Sequence, residues 1–307
     1  MVPRAPPQKI RRADPRTAMT DPSRTDAVPP YETVLANRPL ILTTGAHSDH
    51  LWTHVSNYYG TDLVLRDGPV FELEDRHDPA IGRIVVTFAD GTRLTVDDYF
   101  EASSMVAMVV LRGGAVVYER AKSLRRFDRR VWFSCSKTVV ATMMAMLEAE
   151  GRIDIATSVS SHLPELAGSA WDEVTVEQAL DMATGLDATE HEEPDARTNP
   201  ERGWYQWAVS IGLFGGPGDT GQGPFDVLGR MTRRKPPHVA FEYNSINTFV
   251  CQLIAERIAG MPLAEFVGER VWRRIGAQGD GYLVLSRQGR AMGFGFMNSS
   301  LRDLARY

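Results

Sequence analysis

Cysteine is scarce in this chain: 307 residues carry two, Cys135 and Cys251. Two thiols give neither a disulfide framework nor metal-ligand spacing. Both fall in apolar helical patterns and read as buried free thiols. Lysine is nearly as rare, with four in all: Lys9, Lys122, Lys137 and Lys235. No apolar run approaches the ~20 residues of a membrane-spanning helix, so no membrane span is expected. The N-terminus is rich in proline and arginine but lacks a hydrophobic h-region, so it does not read as a secretory signal. Residues 1–30 are expected to form a disordered tail, in part an over-long start with Met19 the initiator, and the cytoplasm is the default location. One-sided charge is missing too. The net charge of −5 is mild, which removes nucleic acid from the expected partners.

What is present is enough apolar residue, 43%, to pack a core, and residues 31–307 read as one domain. Ile81–Phe88 and Thr92–Val96 flank Ala89-Asp90-Gly91, and Met105–Arg112 and Ala115–Arg120 flank Gly113-Gly114. Both patterns predict β-hairpins. Gly151 marks a helix stop, and Thr175-Val176-Glu177-Gln178 is a capping box whose helix should end near Thr184. Thr189–Asp226 reads as a polar loop with Trp204, Tyr205 and Trp207; its glycine-rich run, 215–223, suggests a mobile cover over a site. Pro262 opens a helix, and Ser300 caps another. His47, His50 and His54 have helical spacing, but interface side chains are the commoner use of such a trio, so no metal and no other cofactor is expected. Arg125, Arg126, Arg129 and Arg130 read as a solvated loop.

The chemistry centres on Trp132–Val140. Val139, Val140, Met143, Met144 and Leu147 recur at spacings of three and four, which predicts a helix with one buried face. Ser134 and Lys137, three apart at its mouth, become neighbours. A serine hydroxyl is a weak nucleophile until a base takes its proton, and a lysine can do so where desolvation favours its neutral form. Ser-x-x-Lys is expected by chance roughly 0.2 times in such a chain at ordinary residue usage, so the motif alone is suggestive. A cysteine nucleophile at Cys135 is the alternative at this point. Tyr243, in Phe241–Asn247, sits at a loop-to-helix junction, where it could serve as phenolate or proton relay if Lys137 lowered its pKa.

With these segments, and with Leu163–Leu166, Leu180–Asp187 and Gly293–Phe296 through Arg306, the chain resembles the serine β-lactamase and penicillin-recognising hydrolases. Within them it is most similar to class C-like esterases and 6-aminohexanoate-dimer hydrolases. The resemblance implies an α/β (α+β) fold: a mostly antiparallel sheet with flanking helices and a helical subdomain. It implies Ser134 as acylated nucleophile, Lys137 as its proton acceptor and Tyr243 as relay to the leaving group. The backbone N–H of Ser134 would form half an oxyanion hole. Ser245 stands where many relatives carry asparagine and is expected near Lys137 or the substrate. Glu192, Glu193 and the Trp204 loop are further candidates for substrate contact. No Lys- or His-Thr/Ser-Gly follows Tyr243, whereas the resemblance implies further strands after the Arg302-Asp303-Leu304 helix. A C-terminally incomplete sheet is therefore expected, with weak or no activity for this chain. The expected function is hydrolysis of a small ester or amide. Cell-wall peptides and β-lactams are disfavoured by the missing export signal. A non-catalytic scaffold is the rival reading, and a homodimer is compatible with either.

Overall fold

The computed structural model describes residues 46–213 and 221–307. These form two compact units, 73–125 and 46–72 with 126–307. The chain enters through α1 (Ala46–Thr53) and strand β1 (Thr61–Val64). The smaller unit follows, with β2 (Glu74–Asp75), α2 (Pro79–Gly82), β3 (Val85–Thr87), β4 (Arg93–Thr95), α3 (Val96–Ala102), β5 (Ala107–Arg112) and β6 (Ala115–Ala121). Both expected hairpins form, β3 with β4 and β5 with β6. Gly113 and Gly114 adopt φ of 57° and 79°, the left-handed pair that a two-residue hairpin turn demands. The Ile81 end of the first pattern is helical because Asp78 accepts the Ala80 N–H and Pro79 follows it at the first helical position.

In the larger unit, β7 (Arg130–Val131) leads through a tight turn, Phe133–Ser136, into α4 (Lys137–Ala149). Short helices α5 (Val159–His162) and α6 (Val176–Leu180) follow. The capping box of α6 is formed by Thr175 and Gln178. The helix stops at Leu180, not near Thr184, because Met182 turns left-handed at φ 56° and the Met182 carbonyl accepts the Glu242 N–H. Next come α7 (Gly203–Ser210), α8 (Pro224–Leu228), α9 (Ser245–Ala259), α10 (Leu263–Val267), β8 (Gly281–Val284), β9 (Met297–Ser299) and α11 (Leu301–Arg306). Ser300 caps α11 as expected, accepting the Asp303 N–H.

The sheet runs β1-β8-β9-β7 with every pairing antiparallel. Against it packs a helical layer in which α9 lies along α4. The apolar face of α4 is buried as its spacing predicts, with Val139, Val140, Met143, Met144 and Leu147 each at most 1% exposed. In α9 every residue from Ser245 to Glu256 is buried; a helix covered on all sides is a core helix. Among the described residues no helix is long and apolar enough to cross a membrane.

Three local expectations are corrected. Thr189–Asp226 is not one loop: Trp204, Tyr205 and Trp207 carry α7, whose aromatic side chains are buried in the core. Most of the glycine-rich run lies outside the described residues. Cys135 is exposed while Cys251 is buried, since the turn before α4 points Cys135 outward. Arg130 is not simply solvated but bonds Asp49 and Thr53.

Candidate active site

Pairing of β7 with β9 places the serine. The Trp132 N–H donates to the Met297 carbonyl (2.8 Å), the Met297 N–H to the buried Ser136 Oγ (2.9 Å) and Trp132 Nε1 to Ser299 Oγ (3.0 Å). The turn between β7 and α4 is thereby fixed to the sheet. It forces Phe133 to φ 48°, a costly conformation for an aromatic residue, and leaves Ser134 exposed at the mouth of the turn.

α9 supplies the tyrosine. Asn244 caps the helix through Oδ1, which accepts the Ile246 N–H (3.0 Å), while its Nδ2 donates to the Ala188 carbonyl (2.6 Å). Glu190 accepts the Ser245 N–H at 2.7 Å. Tied at these points, Tyr243 projects its hydroxyl onto Ser134 Oγ and donates to it at 2.5 Å.

Lys137 Nζ reaches Ser134 Oγ at 3.3 Å, Ser245 Oγ at 3.1 Å and the Phe294 carbonyl at 2.6 Å. Burial pushes its pKa down to about 8; Glu190 works against that shift and Arg197 with it. A neutral amine keeps two N–H groups and a lone pair. With Ser245 and Phe294 as acceptors, the lone pair is left for the Ser134 hydroxyl. For Tyr243 the phenolate alternative is not favoured. Burial raises its pKa, with Glu190 adding to the rise, so its resting form is the phenol, a donor. Lys137, 4.8 Å above its ring, does not make it a phenolate.

These groups open onto a cavity of about 460 Å³ lined by Phe133, Trp204, Leu213, Tyr243, Phe294 and Phe296, with Glu190 and Arg197 beside them. Trp204 thus reaches the pocket, from a helix. Trp207 packs behind the wall, 5.1 Å from Phe294 between ring centroids. Gly293 lets this wall close: a Cβ there would meet Leu263, Val140 and Gln252 at 2.5–2.9 Å. Glu192 and Glu193 lie outside the lining and are ion-paired with Arg234. Lys235 bridges Glu192 and Glu242. Cys135 does not line the pocket.

Sequence reasoning missed Glu190, His191, Arg197 and Phe296. Nothing in Glu190–Glu193 distinguishes the buried acid from its less buried neighbours; only burial selects it. Of the histidine trio, the His47 side chain lies outside what the structure describes, and His50 and His54 are engaged with each other and with Tyr58. The His50 and His54 rings stack at 4.3 Å, His50 Nε2 meets Tyr58 Oη at 3.1 Å and His54 Nδ1 meets the His50 carbonyl at 2.9 Å. Among the described residues the candidate metal cluster is a different one, exposed Asp75 and His77 with half-buried Glu119.

A model of the beta-lactamase family matches residues 95–307. The 6-aminohexanoate-dimer hydrolase of Paenarthrobacter ureafaciens is 31% identical over 236 residues, which are 75% of this chain and 58% of that protein. The chain therefore spans little more than half of that curated relative. Among solved structures, a candidate 6-aminohexanoate-dimer hydrolase from Bacillus anthracis superposes with a TM-score of 0.74 at 22% identity, covering 86% of this chain and 68% of the other. A beta-lactamase/D-alanine carboxypeptidase from Pseudomonas syringae gives 0.50 at 16% identity over 69% and 61%. At these identities the structural likenesses speak for the fold.

Proposed function

Because the chain belongs to the beta-lactamase family, we propose that it is a serine hydrolase that cleaves small esters or amides through an acyl-enzyme on Ser134. One observation carries the reading. A serine oxygen at the mouth of an apolar pocket lies within reach of both a phenol, at 2.5 Å, and an amine, at 3.3 Å, whose pKa burial holds near 8.

The steps follow from the charges. Neutral Lys137 takes the Ser134 proton as Oγ attacks the substrate carbonyl. The Ser134 N–H, in the first turn where backbone donors lack an intrahelical acceptor, is the donor we assign to the developing oxyanion. Tyr243 donates its proton to the departing oxygen or nitrogen and is left as a phenolate, while the proton taken from Ser134 stays on the Lys137 ammonium 4.8 Å from its ring. Water then attacks the ester, with the same groups running in reverse. The relative named for 6-aminohexanoate dimer supports short amides as substrates alongside esters. A pocket of about 460 Å³ walled by aromatic rings suits a small, largely apolar acyl group.

A fluorophosphonate probe and a p-nitrophenyl acetate burst test this directly. Acylation mapping to Ser134 and absent from Ser134→Ala is expected. Folded protein that takes up no probe would instead be a binding protein on the same scaffold. Iodoacetamide should leave turnover intact; its loss, with Ser134→Ala still active, would move the nucleophile to Cys135.

A further inference from the structure

Glu190 and Arg197 stand beside the reacting groups without a step to perform. Glu190 is 6% exposed, and burying a carboxylate is costly unless it is paired and hydrogen-bonded. One oxygen accepts the Ser245 N–H at 2.7 Å and the other accepts Arg197 Nη2 at 2.8 Å. Arg197 is fixed in turn. Its guanidinium lies over the Trp204 ring at 5.5 Å, and the same nitrogen contacts His191 Nε2 at 3.0 Å. The His191 ring is 5.6 Å from that of Tyr243. The ion pair therefore touches the backbone that presents Ser245 Oγ to Lys137 and lines the same cavity as Lys137 and Tyr243.

We propose that the Glu190–Arg197 ion pair is a positioning device: it clamps the start of α9 and holds the charge felt by Lys137 and Tyr243 in balance, so that neither group is displaced by a lone buried charge. This rests on Ser134, Lys137 and Tyr243 being the reacting set. The groups facing Lys137 are few. Ser134 and Cys135 come from its own turn, Tyr243 and Ser245 from the start of α9, the Phe294 carbonyl from the segment before β9, and Glu190, His191 and Arg197 from the segment before α7. His191 Nε2 contacts Arg197 Nη2 at 3.0 Å and lies 3.8 Å from Glu190. Of the formal charges in the set, Glu190 favours the ammonium and Arg197 opposes it. The two act on Tyr243 with the same signs, Glu190 raising and Arg197 lowering its pKa. Removing either member should therefore slide both titrations together, and the two removals should slide them in opposite directions. A purely structural role predicts no such antisymmetry.

Two readouts test it on Glu190→Gln, Arg197→Met and the double variant, each checked for folding by circular dichroism. In the first, Lys137 is titrated by competitive acetylation read by mass spectrometry, which four lysines make tractable. Glu190→Gln should lower its midpoint by about 0.5–1 pH unit and Arg197→Met should raise it by about as much, with the double variant returning near the parent. In the second, both limbs of the kcat/KM profile for p-nitrophenyl acetate should move with that midpoint. Midpoints that stay put, or move the same way in both single variants, overturn the proposal. If Glu190→Gln does not fold, the upward shift in Arg197→Met decides alone. Opposite shifts in a protein that fluorophosphonate never labels would sink the hydrolase reading and keep the pair. A labelled, active protein with unmoved midpoints would do the reverse.

Discussion

The two ends of α9 border cavities of similar size and contrary chemistry. At its start, about 460 Å³ is walled by aromatic rings, and Lys137 lies there with no carboxylate in contact. At its end, about 600 Å³ is bordered by Glu165, Glu256, Arg257 and Arg290. There every arginine is matched: Arg257 with Glu165, and Arg290 with Glu256. Glu256 also accepts from the Leu263 N–H at 3.1 Å and from Gln252 at 2.8 Å. The arginines of the larger cavity are neutralised by neighbouring carboxylates. The smaller one holds an amine whose proton is loosened by burial. The proposed reactivity rests on which charge is left without a counter-ion in contact, and not on volume.

Substitutions at the two ends should separate rate from stability. The largest effect is expected from Ser134→Ala or Lys137→Ala, a fall in turnover of about 10⁴-fold or more in steady-state assays, with the thermal midpoint little changed. Tyr243→Phe comes next. Removing the proton donor should lower kcat by about 10²–10⁴-fold at a nearly constant KM; an unchanged kcat would assign the donor elsewhere. Third is the pH dependence of the parent. In the proposed mechanism Lys137 acts as the neutral amine, and its pKa is lowered to about 8. Activity should therefore rise with pH through about 8 and fall about tenfold per unit below it. A limb near pH 10 would mean that desolvation of the amine has been misread. Fourth, Glu256→Ala at the far end strands the Leu263 N–H and Arg290, and should cost about 2–3 kcal/mol by denaturant titration while the position of that limb stays the same. The smallest change is expected of Arg257→Ala. Its partner Glu165 is 41% exposed, so the loss should stay within about 1 kcal/mol, and a larger one would show that this end is more than a surface ion-pair cluster.

The trio proposed to react was legible because its spacing is local or its setting is. Ser134 and Lys137 are one helical turn apart. Tyr243 announces itself at a loop-to-helix junction followed by a long apolar run. Glu190 and Glu192 show the limit. Both are glutamates in one polar stretch, yet the first is buried under α9 and the second is ion-paired outside the pocket. The α7 helix was hidden for a related reason. Its polar and glycine-rich flanks read as loop, whereas burial of Trp207 against Phe249 and Phe294, with Trp204 packed on Trp207, is what pays for its order. Cys135 erred in the opposite sense, since an apolar helical pattern cannot reveal that a tight turn precedes the helix.

By itself the sequence determined the hairpins, the buried face of α4 and the pairing of a serine with a lysine, because periodicity and turn chemistry act within a few residues. Tertiary structure alone decided that Tyr243 meets a serine 109 positions away. It also decided that burial lowers the pKa of the lysine while raising that of the tyrosine, and that one glutamate in four close acidic and imidazole side chains faces inward. Those outcomes depend on which groups lose water when distant segments pack. Desolvation is a property of the assembled neighbourhood and is written in no single stretch of chain.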